Sequence, residues 1–248
     1  MKIGASTLAT FNDSLKSSLE FIEGLGIGYA ELLHQYPNEK FDLDVLNSFD
    51  LKYTIHAPFL DVNIASLSTK SRKISIEQIK DSINLANEID SSIVVVHPGL
   101  LPFILKEMPE KIYPVANESI KELGEYSRDL GVNTTIENMP NFESMIYQDM
   151  TKLNETLVEF DMGMTLDIGH AHHSQIPENE MYFDSIKHIH IHDNMGDDDT
   201  HLALGEGNIQ LKHIIDMFED KNYDGIYMIE VNTKDSIKKS LEFFKNNF

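Results

Sequence analysis

Eight short apolar runs, recurring about every thirty residues, set the strongest limit on how this chain can fold. They are roughly Lys2–Thr7, Tyr29–Leu33, Lys52–His56, Ser92–His97, Val132–Glu137, Gly163–Asp167, His188–His192 and Gly225–Glu230. Each has the length and the β-branched character of a strand. Helical patterns lie between them. Ile76, Ile79, Ile83 and Ala86 follow the spacing of a buried helical stripe, and so do Ala116, Ile120, Leu123 and Leu130. Lys234–Phe248 closes the chain as a helix with Ile237, Leu241 and Phe244 on one face. No Pro/Gly/Ser-rich linker interrupts the alternation. The prediction is an α/β fold, a single (β/α)8 barrel of the TIM type, with residues 1–248 as one domain. With 248 residues and 41% apolar content the chain can bury such a core.

Nine polar residues stand at or just beyond the ends of these runs: His56, His97, Glu137, Asp167, His170, His190, Asp199, His201 and Glu230. Strand alternation puts Thr135 and Glu137 on one side and Ile136 on the other. Thr165 and Asp167 likewise oppose Met164 and Leu166, and His188, His190 and His192 oppose Ile189 and Ile191. The polar sets are expected to look into the barrel, near the carboxyl ends of the strands where such barrels hold their active sites. Carboxylate with imidazole suits borderline divalent cations, so the expected cofactor is Zn²⁺, Mn²⁺ or Co²⁺, in one to three ions. The competing reading is that a carboxylate at a strand end merely caps the next helix.

The chain has no cysteine, which excludes disulfides and thiolate ligands. It opens MKIGAST, without a basic segment leading into an apolar stretch, and no run reaches membrane-span length. A soluble cytoplasmic protein with no membrane partner is expected. Twenty basic residues stand against 41 acidic ones, a formal net charge of -21. That field disfavours approach to a polyanion, so nucleic acid is not the expected partner. Arg72 and Arg128 are the only arginines, and arginine is the preferred residue for gripping phosphate in two-point contacts.

Glu137, Asp167, His190 and Glu230, at the ends of the last four runs, resemble the four-ligand set of the xylose isomerase-like TIM barrels. That superfamily includes sugar phosphate isomerases and epimerases and the endonuclease IV family. In its sugar-acting members a metal polarises a carbonyl and its neighbouring hydroxyl. The resemblance implies that Glu137 and Glu230 are the catalytic pair, moving a proton across an enediolate-like intermediate of a small sugar or sugar phosphate. The endonuclease branch holds three zinc ions. Its nine ligand positions are matched here by His56, His97, Glu137, Asp167 with His170 as D-x-x-H, His190, Asp199 with His201 as D-x-H, and Glu230. LGEGNI at Leu204–Ile209 follows the same pattern, whereas Ile168-Gly169 stands where that branch carries Thr-Cys. The loop Leu33–Phe41 offers Lys40 but no arginine for a DNA backbone, and Glu31 is typical of the sugar-acting branch.

Three activities are therefore weighed. The leading one is a metal-dependent isomerase or epimerase of a small sugar or sugar phosphate. The second is a zinc phosphodiesterase acting at abasic sites, and the third a non-catalytic metal-binding barrel. Lys70, Arg72 and Lys73 fall at the expected start of a helix on the active-site side, either as a phosphate-neutralising group or as a solvated helix start. Phe59-Leu60 stand where the endonuclease branch wedges DNA, and His172 and His173 are left without a role. Gly205 and Gly207 are expected to permit a tight turn that brings His201 to the metal.

Overall fold

A computed structural model describes residues 1–91 and 93–248. Among the described residues, eight strands alternate with eight α-helices. The strands are β1 (Lys2–Ser6), β2 (Tyr29–Leu33), β3 (Lys52–His56), β4 (Ile93–Val96), β5 (Asn133–Glu137), β6 (Gly163–Asp167), β7 (Ile186–Ile191) and β8 (Ile226–Ile229). The helices are α1 (Leu15–Gly24), α2 (Leu43–Leu46), α3 (Thr69–Glu88), α4 (Tyr113–Asp129), α5 (Met150–Glu159), α6 (Ile168–His173), α7 (Leu211–Asp220) and α8 (Lys234–Asn247). Every strand pairs in parallel with its neighbour in chain order, and β8 returns to β1, so the sheet is a closed (β/α)8 barrel.

The expected alternation holds. Ile136, Leu166, Ile189 and Ile191 are fully buried in one apolar core that also contains Ile79, Ile83, Ile120, Leu123, Leu157, Ile214 and Phe218 from the helices. The opposite face of the same strands is polar and hydrogen-bonded across the barrel. The Thr135 and Thr165 hydroxyls lie 2.7 Å apart, and Thr54 donates to Glu31 at 2.9 Å. Helix starts are set by side-chain caps: Ser14, Ser68, Asp149 and Thr233 each accept from a backbone N–H of the first turn.

The expected strand limits shift at the mouth of the barrel. Thr7 leaves β1 for a short 3-10 turn. His97, His192 and Glu230 fall one residue past β4, β7 and β8. β7 starts earlier than expected, at Ile186, and Ser92 of the fourth expected run lies outside the described residues. Leu130 caps α4 instead of continuing its stripe, and Leu241 is only partly buried. No helix among the described residues is long and apolar enough to cross a membrane.

Candidate metal centre

All nine ligand candidates meet at the carboxyl-terminal mouth of the barrel, in two adjoining groups. Glu137, Asp167, His190 and Glu230 each direct one donor atom to a common space, all within 4.8 Å of one another. His170, His192, Asp199 and His201 do the same beside them. His56 and His97 flank Glu137, their Nε2 atoms 3.6 and 3.0 Å from its Oε2. The groups touch through His170 Nδ1, 3.8 Å from Glu137 Oε1, and through His192 Nε2, 3.2 Å from Asp167 Oδ1.

The imidazoles are oriented from behind. His56 Nδ1 donates to Ala57 O at 2.8 Å, His170 Nδ1 to Asn138 O at 2.9 Å and His201 Nδ1 to Glu230 O at 2.8 Å. With Nδ1 engaged by the backbone, each Nε2 faces the carboxylates and is the atom that a metal would take in place of a proton. His190 is turned the other way. Its Nδ1 faces Glu137 Oε1 at 2.9 Å and Glu230 Oε2 at 3.2 Å, while its Nε2 points back at Glu31 Oε1, 2.9 Å away.

A divalent cation fits this donor set. Glu137 Oε2, Asp167 Oδ2, His192 Nε2 and Asp199 Oδ1 are buried without a hydrogen-bond partner. Leaving one buried polar atom unsatisfied costs about 1–3 kcal/mol, and two such atoms in each of the adjoining groups call for positive charge there. The capping alternative holds for one residue only: Asp167 Oδ1 caps α6 by accepting from His170 N at 2.7 Å. Its other oxygen remains free for the centre.

Burial by itself would raise the Glu137 and Glu31 carboxyls. The facing imidazoles outweigh it and hold both well below the usual range. Burial would likewise depress His190 and His170, yet the carboxylates around them push both well above the ordinary imidazole value. His201 is pushed up to about 9 against the same burial penalty by Asp199 and Glu230. Without a metal, protons supply the positive charge that the carboxylates demand, and a bound divalent cation would displace them.

Three members of the constellation were not assigned from the sequence: Glu31, His188 and His192, all with no exposed surface. The signal for the histidines was the shared face of His188, His190 and His192. Gly169 explains how His192 fits, since a Cβ there would lie 1.9 Å from the His192 ring. The Ile168-Gly169 pair is therefore the space that admits an extra imidazole. Phe59 walls the other flank, stacked on His97 with ring centroids 5.0 Å apart, whereas Leu60 is half exposed.

The glycines of the seventh loop serve a different neighbour than expected. Asp193 accepts from Gly205 N at 2.9 Å and Ile209 N at 3.2 Å, and a Cβ on Gly207 would lie 2.2 Å from Asp193 Oδ1. His201 takes its own positive φ of 47°. The glycines thus pin the loop to Asp193, and the loop carries His201. His172 braces the same loop through Asn208 at 2.7 Å; buried His173 lies edge-on to Phe142.

The two arginines are engaged elsewhere. Arg72 donates to Ser66 O and pairs with Glu118, and Arg128 donates to Phe160 O and Asp161 O. Lys40, Lys70 and Lys73 are exposed.

Comparison with known proteins agrees with this architecture. The chain matches the family model of the xylose isomerase-like TIM barrels over residues 19–247. It is 34% identical to an uncharacterised protein of Methanocaldococcus jannaschii, across 96% of this chain and 86% of the relative. It is 27% identical to a fructoselysine 3-epimerase of Shigella flexneri, across 65% of this chain and 60% of the relative. The crystal structure of a D-tagatose 3-epimerase-like protein superposes with a TM-score of 0.88 at 33% identity, covering 100% of this chain and 97% of the other. The chain belongs to the xylose isomerase-like TIM barrel family.

Proposed function

We propose that this chain is a divalent-metal-dependent isomerase or epimerase acting on a small sugar. The observation that carries the reading is the opposed pair Glu137 and Glu230, which approach His190 Nδ1 to 2.9 and 3.2 Å from β5 and from the end of β8. Glu137, Asp167, His190 and Glu230 would hold the metal. His56, His97, His170, His192, Asp199 and His201 are further ligands or line the same cavity. A bound divalent cation supplies Lewis acidity, polarising the substrate carbonyl and lowering the pKa of the neighbouring C–H.

The chain's own residues do the rest. Glu137, kept ionised by its imidazole neighbours, takes the proton from carbon, and Glu230 serves the opposite face, so that return of a proton there inverts the centre. Relatives with epimerase names support the sugar class. The engagement of both arginines favours an unphosphorylated sugar over a sugar phosphate.

The test is solvent exchange. Metal-replete protein incubated with free ketoses in D2O is expected to place deuterium on the carbon beside the carbonyl while forming the epimer. Glu137→Gln and Glu230→Gln are expected to abolish both. Absence of exchange across hexoses and pentoses would reject the reading.

One observation favours phosphodiester hydrolysis as a second reading. The nitrogen-rich group of His170, His192, Asp199 and His201 adds a second four-donor set beside the one that a single cation requires. Metal-dependent cleavage of an abasic duplex, lost in Glu137→Gln, would establish it. The net charge of -21 argues against tight DNA binding.

A further inference from the structure

We infer that Glu31 is the positioning residue that fixes the ring orientation of His190, facing its Nε2 across the barrel so that Nδ1 is aimed between Glu137 and Glu230. The inference rests on the metal reading proposed above and adds a residue that reading does not use.

The argument begins with what lies behind each imidazole. His56, His170 and His201 each have a backbone carbonyl within 2.9 Å of Nδ1. His190 sits within β7, where the strand's own carbonyls are committed to the ladder and its side chain projects into the barrel. Among the described residues its ring hydrogen-bonds to no main-chain acceptor, only through Nδ1 to Glu137 Oε1 at 2.9 Å. The facing group is Glu31, reaching across the interior from β2, with Oε1 2.9 Å from His190 Nε2. The contact lies off the line of a linear hydrogen bond, and neither atom has a hydrogen-bond partner elsewhere.

Glu31 is itself held. Its Oε2 accepts from Thr54 Oγ1 at 2.9 Å and lies 3.0 Å from His188 Nε2. Two anchors on one oxygen leave the other aimed at His190. All three side chains, Glu31, His188 and His190, have no exposed surface, so water cannot replace the carboxylate. A carboxylate behind a ligating histidine fixes the tautomer and raises the basicity of the ligand nitrogen. Losing such a partner typically costs about 10–100-fold in metal affinity.

The experiment compares wild type, Glu31→Gln and Thr54→Val by two readouts. The first is Co²⁺ affinity by chelator competition, together with the visible spectrum of the bound ion. The second is the ¹⁵N-histidine spectrum of the metal-free protein, which reports which ring nitrogen of His190 carries hydrogen. Glu31→Gln is isosteric and removes only the charge. It is expected to weaken Co²⁺ binding about 10–100-fold, to alter the visible band and to shift the His190 ring signals. Thr54→Val frees one anchor and is expected to give a smaller change of the same sign.

A folded Glu31→Gln with wild-type Co²⁺ affinity, band and ring signals would overturn the inference. If Glu31→Gln does not fold, Thr54→Val decides, and unchanged binding and ring signals there would overturn it equally. A wild type that binds no Co²⁺ would instead remove the metal reading, and the ring signals of the metal-free variants would still decide whether Glu31 orients His190.

Discussion

The two halves of the barrel mouth differ in their donors and in what carries them. Glu137, Asp167, His190 and Glu230 offer three carboxylates and one imidazole from strand ends, all buried. His170, His192, Asp199 and His201 offer three imidazoles and one carboxylate, from α6, the end of β7 and the loop beyond it. The loop members Asp199 and His201 keep 12% and 15% of their side chains exposed. Rigid strand ends thus present the oxygen donors that could also exchange a proton with substrate. A helix, the end of β7 and the loop after it present the nitrogen-rich set. Oxygen-rich sets tolerate Mn²⁺, whereas nitrogen-rich ones suit Zn²⁺, so the halves are expected to differ in both metal preference and chemistry.

The largest effect is expected where the halves share a residue. Glu137 Oε1 faces His190 of its own half at 2.9 Å and His170 of the other at 3.8 Å. Glu137→Gln keeps the shape and removes the charge. Turnover is expected to fall about 10²–10⁴-fold, the usual contribution of a positioned acid or base, with metal affinity falling at the carboxylate-rich half. Deuterium exchange and chelator competition on the same preparation measure the two losses. Full turnover in this variant would break the division of roles between the halves.

The nitrogen-rich half should be separable. His192→Ala removes a donor, and Gly169→Ala forces the His192 ring to move, since the new Cβ would sit 1.9 Å from it. Both are expected to lose one bound Zn²⁺ per chain, read by elemental analysis after desalting, while Glu230→Gln leaves that ion in place. Gly169→Ala should also cost about 1–3 kcal/mol of stability from overpacking. If both variants keep every ion held by the wild type, the second half is a hydrogen-bonded wall and the comparison collapses to one centre.

The sequence carried the barrel and the carboxylate-rich half for the same physical reason. A period-2 run ending in Glu137 or Asp167 fixes both the strand and the side on which the acid emerges. The neighbouring half was legible only in part. His170 and His201 stood out just beyond apolar runs and as positions that the resemblance to the endonuclease branch implied, but His192 fell on the shared β7 face without a mark that it enters a cluster. Its place depends on the missing Cβ of Gly169, a contact between separate elements that no local pattern encodes. Glu31 was hidden similarly, because its partner His190 lies across the barrel, 159 positions away in the chain.

Metal removal should sharpen the contrast in stability. Each bound ion would stabilise the folded chain by RT times the logarithm of one plus its free concentration over Kd, about 2.7 kcal/mol at a free concentration one hundred times Kd. A graded chelator series is expected to lower the melting temperature in two steps, the carboxylate-rich half emptying first. A single step in calorimetry, with metal content falling in parallel, would mean that the halves bind as one unit.

The smallest effect concerns the basic residues at the start of α3. Arg72 is held by Ser66 O at 3.0 Å and by Glu118 at 3.6 Å, and Glu118 is mostly exposed. An exposed pair of this kind contributes about 0–1 kcal/mol, so Arg72→Ala is expected to shift stability by no more than that. If the substrate is an unphosphorylated sugar, KM should stay within about twofold of wild type, less than the tenfold that 1.4 kcal/mol of lost binding would produce. A tenfold or greater rise in KM, confined to a phosphorylated sugar and absent for the free one, would show that α3 reaches the substrate. It would also add a basic element to a mouth otherwise described by carboxylate and imidazole.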